Sequence, residues 1–273
     1  MDLKAVGKRG LVLLGCGKMG SAMLAGWLKG GLPAASVWVS DPAPSDWLTA
    51  RAAEGLHLNA QLPDAPAIVL VAVKPQMMAQ ALPSLARFGG GGTLFLSVAA
   101  GTPIRAYEAM LGQGTPVIRA MPNTPAAIGR GITALCGNAC ATEAHLALAE
   151  ALLSAVGQVV RLEGEHQMDA VTAVSGSGPA YVFHLIETLA AAGEAEGLPG
   201  PLAMQLAKAT VAGAGALAEA AEEDPAQLRV NVTSPGGTTA AALKVLMDDA
   251  RGFPPLLREA VHAAAERGRE LAQ

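Results

Sequence analysis

Short apolar runs alternate with segments of helical spacing over the first 163 residues of the chain. Continuous aliphatic runs are typical of strands that a parallel sheet buries on both faces. Such runs occupy residues 11–14, 37–39, 67–73, 93–98, 117–120, 132–135 and 159–162. Helical patterns follow several of them, including 76–85, 103–111 and 142–156. This alternation predicts an α/β fold, with a doubly wound, Rossmann-type sheet over residues 1–163.

The pattern changes near residue 164. Alanine-rich helical stretches at 179–196, 201–221, 238–248 and 254–272 follow, and no period-two strand is evident from residue 167 onward. Residues 164–273 are therefore predicted to form an all-α domain. So much small and apolar helix surface is hard to bury within about 110 residues. We therefore expect burial against a second copy, in an intertwined homodimer.

A glycine motif joins the first strand to the first long helix. Gly15, Gly17 and Gly20 form G-x-G-x-x-G, in the strand–turn–helix context that gives this motif a meaning. The first glycine permits a tight turn, the second lets a pyrophosphate approach the backbone, and the third lets helix and strand pack closely. The motif predicts dinucleotide binding; a turn without function is the alternative in a chain with 32 glycines.

Ligands of an open parallel sheet bind beyond the carboxyl ends of its strands. The loops predicted there are small and polar at single positions, which suits close contact with a flat cofactor. They cover residues 15–20, 40–41, 74–76, 99–101 and 121–125.

Ser40 and Asp41 give conflicting indications about the cofactor. An acidic residue at the end of the second strand normally binds the ribose 2′-hydroxyl and repels a 2′-phosphate. Pro42 follows Asp41, however, so the carboxylate can point elsewhere and leave Ser40 and backbone amides for a phosphate. From these residues, NADH and NADPH both stay open.

Two polar stretches stand out in the helical half, at residues 172–181 and 234–239. The second places glycines and threonines ahead of a helix, a pattern that suits an anion such as a substrate carboxylate. The alternative is that both are only helix connections with good caps.

Composition narrows the class of protein. The chain is 51% hydrophobic but only 3% aromatic, which predicts an aliphatic core, and its net charge of −4 favours neither nucleic acid nor an anionic membrane as partner. Without a membrane-spanning run or a signal peptide, we expect a soluble, cytoplasmic protein. Cys16, Cys136 and Cys140 are predicted to be free thiols, and no metal-ligand set is predicted.

Five motifs in this order resemble the pyrroline-5-carboxylate reductase family, over about residues 11–271. They are residues 15–20, 72–76, 119–125, 175–181 and 234–239, of which the last two are very specific. The resemblance implies a Rossmann domain and a helical dimerisation domain, with dimers that often assemble into rings. It implies reduction of the cyclic imine (S)-1-pyrroline-5-carboxylate to L-proline, the last step of proline biosynthesis. NADP(H) is favoured as cofactor, with NAD(H) left open.

The resemblance also implies roles for individual residues. Thr172 is expected near the imine nitrogen, and Glu222 is expected to contribute to the substrate site across the dimer. The substrate carboxylate is assigned to Ser234, Gly237, Thr238 and Thr239. Cofactor contacts are assigned to Leu14, Gly15, Cys16, Gly17, Lys18, Met19, Asn59, Ala72, Val73, Lys74, Pro75, Val98, Ala99 and Ala100, to which the strand-end pattern adds Ser40.

Two other functions are compatible with parts of this pattern. A β-hydroxyacid dehydrogenase shares the glycine start and a helical second domain, but it needs a lysine base, for which only Lys208 and Lys244 are available on the predicted helices. A non-catalytic nucleotide sensor would use its second domain for dimerisation alone. The hydroxyl-rich stretches argue against the sensor, since it needs no carboxylate site.

Overall fold

A computed structural model describes residues 4–271. The chain divides into two compact units. The first contains the chain up to Gly176 together with the segment from Ala265 onward, and the second comprises Ser177–Ala264.

The first unit is built on one eight-stranded sheet, in the order β3-β2-β1-β4-β5-β6-β7-β8. Its strands are β1 (Leu11–Leu14), β2 (Val37–Ser40), β3 (His57–Leu58), β4 (Ile68–Val71), β5 (Leu94–Ser97), β6 (Val117–Met121), β7 (Gly131–Gly137) and β8 (Gly157–Arg161). Neighbouring strands are parallel except β6 and β7, which are antiparallel. The carboxyl ends of β1, β2, β4, β5 and β6 therefore share one edge, and β7 and β8 end at the opposite edge.

Both faces of this sheet are buried. In β1, Leu11 and Leu13 belong to one apolar cluster, whereas Val12 and Leu14 belong to another. Because successive side chains of a strand point to opposite faces, the two clusters lie on the two sides of the sheet. The first includes Trp27 and Leu152 from two helices, and the second includes Tyr107. The predicted doubly wound arrangement is confirmed.

Seven α-helices accompany the sheet in the described part of this unit. They are α1 (Lys4–Arg9), α2 (Lys18–Lys29), α3 (Asp46–Ala52), α4 (Met78–Ala81), α5 (Ile104–Leu111), α6 (Glu143–Leu153) and α7 (Met168–Val171). The sequence pattern did not indicate α1, α3 or the two-residue β3. Helix α3 has no clear periodic pattern and is stabilised by a local cap. The Ser45 side chain accepts a hydrogen bond from the Leu48 amide at 3.3 Å.

The second unit is helical. Its helices are α8 (Gly178–Ala195), α9 (Gly200–Ala220), α10 (Pro225–Asn231), α11 (Thr238–Leu246) and α12 (Phe253–Leu271), whose last turns belong to the first unit. Helices α8 and α9 pack through Ala190, Ala203 and Ala207, so their axes approach closely. The predicted helical stretches agree with α8, α9, α11 and α12, while α10 was not predicted. Every helix described over residues 4–271 is too short or too polar to cross a membrane.

A partly buried ion pair fixes the segment that leaves the sheet. Arg119 of β6 is 4% exposed, and its Nη1 donates to Oε1 of Glu165 at 2.8 Å. The same oxygen accepts the Ile104 amide at 2.8 Å, at the start of α5. One carboxylate thus satisfies a buried guanidinium and a helix N-terminus.

We expect Glu165→Ala to lower the free energy of unfolding by about 2–3 kcal/mol, because it leaves the buried Arg119 without its carboxylate. Glu163→Ala, at an exposed glutamate two residues away, should change it by less than about 0.5 kcal/mol. Urea unfolding at one protomer concentration measures both. Equal losses in the two variants would contradict the structural role of Glu165.

Candidate active site

The three glycines of the motif have different surroundings in the structure. Gly15 has φ +86°, and a Cβ there would lie 2.8 Å from Cγ1 of Val73. A Cβ on Gly20 would lie 2.5 Å from the Gly15 carbonyl oxygen, so α2 packs directly on the turn. A Cβ on Gly17 would meet nothing within 4 Å. The space above Gly17 is therefore open for a ligand to approach the backbone.

The start of α2 lies at this open position of the turn. Gly17 is the N-cap, no side chain caps the helix, and its first turn has no acidic residue. The first amides of a helix lack partners within the helix and carry its positive dipole end. This geometry fits the pyrophosphate of a dinucleotide.

The other predicted cofactor segments lie beside the turn. The Ala72 amide donates to the Leu14 carbonyl at 2.8 Å, and the Val98 amide donates to the Val71 carbonyl at 3.0 Å. The ends of β1, β4 and β5 are thereby aligned. Since β1 lies between β2 and β4, the strand order reverses at this point, where α/β sheets bind their ligands. The structure brings together residues 14–19, 72–75 and 98–100.

Ser40 and Asp41 lie on the other side of the turn. The Gly15 amide donates to the Ser40 carbonyl at 2.8 Å. Asp41 turns toward the protein: its Oδ2 accepts the Cys16 amide at 2.6 Å, and its Oδ1 accepts the Ala43 amide at 2.9 Å. Asn59, after β3, holds the main chain of Asp41 through both ends of its side-chain amide. The sequence left the direction of Asp41 open, and the structure shows it bonded to the glycine turn.

Burial and the nearby Asp41 carboxylate raise the pKa of the Cys16 thiol to about 12. Burial also raises the pKa of Cys136, to about 11, with a further contribution from Glu165. Thiolates, not thiols, are the reactive form of cysteine. All three cysteines are free, and Cys140 alone is partly exposed.

Thr172 lies in an irregular segment, the π-helix Thr172–Gly176, which follows α7 directly. Such segments are frequent at functional sites. The Thr172 hydroxyl donates to the Met168 carbonyl at 2.8 Å. Asn123 supports the segment, because its Nδ2 donates to the Ser175 carbonyl at 3.2 Å while its Oδ1 accepts the Ile132 amide at 3.0 Å.

The predicted carboxylate site lies in the second unit. The Gly237 amide donates to the Ser234 carbonyl at 3.0 Å, which closes a tight turn, and Gly236 has φ +70°. Thr238 and Thr239 then open α11, whose first turn has no acidic residue. Glu222 is exposed in the loop after α9. The turn leaves helix amides and threonine hydroxyls at the start of α11, a set of donors that suits an anion.

Two contacts in this region were not anticipated from sequence, those of Asp41 to the turn and of Asn123 to the π-helix. Asn123 belongs to one of the motifs described above, but the sequence does not show its hydrogen-bond partners, because Ser175 and Ile132 lie 52 and 9 residues away along the chain. The alternative lysines, Lys208 and Lys244, are exposed on α9 and α11. Over residues 4–271, no group of three or more His, Cys, Asp or Glu side chains is arranged to hold a metal ion.

Fold and site together define a nicotinamide-dinucleotide oxidoreductase with a helical second domain. Residues 10–101 match the family model described as NADP oxidoreductase, coenzyme F420-dependent, and residues 165–271 match that of pyrroline-5-carboxylate reductase dimerisation. The chain is 41% identical to the pyrroline-5-carboxylate reductase of Pseudomonas aeruginosa over 266 residues, covering 96% of this chain and 97% of that protein. It belongs to the pyrroline-5-carboxylate reductase family, as its motifs indicated.

Solved structures agree with this assignment. The pyrroline-5-carboxylate reductase of Coxiella burnetii matches with a TM-score of 0.90 at 32% identity, covering 97% of this chain and 99% of that one. The pyrroline carboxylate reductase of Plasmodium falciparum, solved with NADP bound, matches with a TM-score of 0.83 at 27% identity, covering 98% and 99%.

At pH 8 we expect at most one of the three thiols of the native protein to react rapidly with an alkylating reagent, and three after unfolding. The raised pKa values of Cys16 and Cys136 leave almost no thiolate at that pH. Mass spectrometry of the labelled protein identifies the site, and Cys140→Ser should abolish the rapid phase. Rapid labelling of Cys16 would contradict the burial of its side chain.

Proposed function

We propose that this protein reduces (S)-1-pyrroline-5-carboxylate to L-proline with a nicotinamide cofactor, as the last step of proline biosynthesis. The observation that carries the proposal is the open glycine turn at the strand-order reversal, in a chain that belongs to this family throughout its length. Two hydroxyl-bearing segments, the π-helix that begins at Thr172 and the turn at 234–239, are proposed to bind the substrate.

The residues that hold the cofactor are proposed to be those that the structure aligns at the carboxyl edge. Residues 14–19 surround the pyrophosphate, which binds to the amides at the start of α2, while residues 72–75 and 98–100 line the path toward the nicotinamide. NADPH is proposed as the preferred cofactor, with Ser40 contacting the 2′-phosphate and Asn59 shaping the adjacent loop. Asp41 does not oppose this preference, because its carboxylate is already bonded to two backbone amides.

The reaction requires the protein to orient the substrate and the cofactor, and it requires little proton transfer. When bound, the reduced nicotinamide would supply the hydride, and the carbon of the substrate's C=N bond would accept it. Ser234, Gly237, Thr238 and Thr239 anchor the substrate carboxylate, and Glu222 contributes from the second copy. Holding reacting atoms about 3–3.5 Å apart can lower a barrier by several kcal/mol.

Thr172 is proposed to orient the imine by accepting a hydrogen bond from its protonated nitrogen. Its single hydroxyl hydrogen is already donated to the Met168 carbonyl. The remaining lone pairs of Oγ1 can therefore accept the N–H of a protonated imine. The protonated imine is the more electrophilic form, so this contact favours the reactive species without a separate acid.

The assembly is proposed to be a homodimer, with further association of dimers into a ring. The second unit exposes large apolar side chains that a monomer would leave in water, among them Phe183 at 58%, Leu217 at 55% and Val245 at 57%. We assign residues 1–163 to the cofactor domain and 164–273 to the dimerisation and substrate domain. The cytoplasmic location stays a prediction.

We expect purified protein to oxidise NADPH, and NADH more slowly, when the equilibrium mixture of pyrroline-5-carboxylate and its open-chain semialdehyde is added. The loss of reduced-nicotinamide absorbance measures the rate, and chromatography should identify proline as the product. No absorbance loss with either cofactor, from a folded protein that binds nucleotide, would overturn the proposed reaction.

We expect Thr172→Ala to lower kcat about 10- to 100-fold, equivalent to about 1.4–2.8 kcal/mol of transition-state stabilisation. Thr172→Ser keeps the hydroxyl and should retain most of the rate. Thr188→Ala is the matched control, since Thr188 makes the same backward hydrogen bond within α8. An unchanged kcat in Thr172→Ala would remove Thr172 from the mechanism.

A further inference from the structure

Asp41 occupies the position from which many dehydrogenases bind the ribose of NAD. An acidic residue at the end of the second strand normally accepts a hydrogen bond from the 2′-hydroxyl. Here Oδ2 accepts the Cys16 amide at 2.6 Å and Oδ1 accepts the Ala43 amide at 2.9 Å. Both carboxylate oxygens are therefore engaged by the backbone, one of them inside the glycine turn itself.

Asn59 fixes Asp41 from the opposite side. The Asp41 amide donates to Oδ1 of Asn59 at 2.9 Å, and Nδ2 of Asn59 donates to the Asp41 carbonyl at 2.8 Å. Asn59 itself has φ +49° and donates its amide to the Val39 carbonyl at 2.8 Å. Asparagine adopts this left-handed conformation more readily than most residues. The main chain on both sides of the carboxylate is thus held by β2 and β3.

This network determines where the amides of the turn point. Because the Cys16 amide is directed at Asp41, it is turned away from an approaching phosphate. A hydrogen bond to an ionised carboxylate is about twice as strong as a neutral one, so it resists rotation of the turn. The amides at the start of α2, beyond the open Gly17, are left to receive the pyrophosphate.

We propose that Asp41 is a positioning residue for the glycine turn that serves NADPH and NADH alike, and that it does not read the ribose 2′ position. The inference rests on the cofactor use stated under the proposed function. Asp41 sets the geometry of the turn, and recognition of the 2′ position is left to other groups.

The test is calorimetric titration with two nucleotide fragments, ADP-ribose and 2′-phospho-ADP-ribose, which need no catalysis. In Asp41→Ala both should bind about tenfold more weakly, by factors that agree within about twofold. Asp41→Asn retains one acceptor oxygen and should give an intermediate loss for both. Asp46→Ala removes the same charge from an exposed position nearby and should change neither affinity.

A second readout separates positioning from general damage to the fold. At saturating imine, both Asp41 variants should raise the KM for NADPH and for NADH while kcat stays within about twofold of the wild-type value. The melting temperature of Asp41→Asn should stay close to that of Asp46→Ala. A fall in kcat with unchanged cofactor KM would contradict the positioning role.

Opposite effects on the two fragments would overturn the proposal. If Asp41→Ala weakens the binding of ADP-ribose but strengthens the binding of the 2′-phosphorylated fragment, Asp41 recognises the ribose 2′ position. Unchanged affinities for both fragments would show that Asp41 neither recognises the ribose nor positions the turn. Wild-type protein that binds both fragments but reduces no imine would overturn only the proposed reaction. Wild-type protein that binds neither would overturn the cofactor assignment and the role of Asp41 together.

Discussion

Backbone packed against backbone, with no side chain between, is the constraint on which this structure depends. A Cβ at Gly15 would lie 3.1 Å from the Ala72 carbonyl oxygen, and a Cβ at Gly20 would lie 2.5 Å from the Gly15 carbonyl oxygen. Those contacts bring the start of α2 directly over the carboxyl edge of the sheet. The positive end of the helix dipole therefore lies at this edge, and no side chain caps the helix there. The order of the strands determines which strand ends surround it.

Main-chain hydrogen bonds turn this edge into a site. The ends of β1, β4 and β5 are aligned by bonds from Ala72 to Leu14 and from Val98 to Val71. Asp41 and Asn59 extend the same network across β2 and β3. A reaction in which the cofactor supplies the reducing equivalents needs geometry more than strong acids or bases, and a network of backbone bonds provides geometry.

Much of the fold was predictable, because burial on both faces leaves continuous aliphatic runs such as that of β4, and because the alanine-rich helices are long. Shorter elements were missed for a physical reason. Helices α3 and α10 have seven residues each, too few for a periodic pattern, and depend on the caps Ser45 and Asp224. The antiparallel direction of β7 was missed as well, because β7 is apolar and mostly buried, like the parallel strands of the same sheet.

The sequence by itself determined where the chain requires glycine after β1, because the requirement for glycine at a tight turn and at a close packing contact is local and chemical. It did not determine what Asp41 does. A carboxylate at the end of β2 can face a ribose or a neighbouring backbone amide, and both are good hydrogen-bond donors. Only the folded sheet decides, since the register that pairs Leu14 with Ser40 brings an amide 25 residues distant within 2.6 Å of the carboxylate.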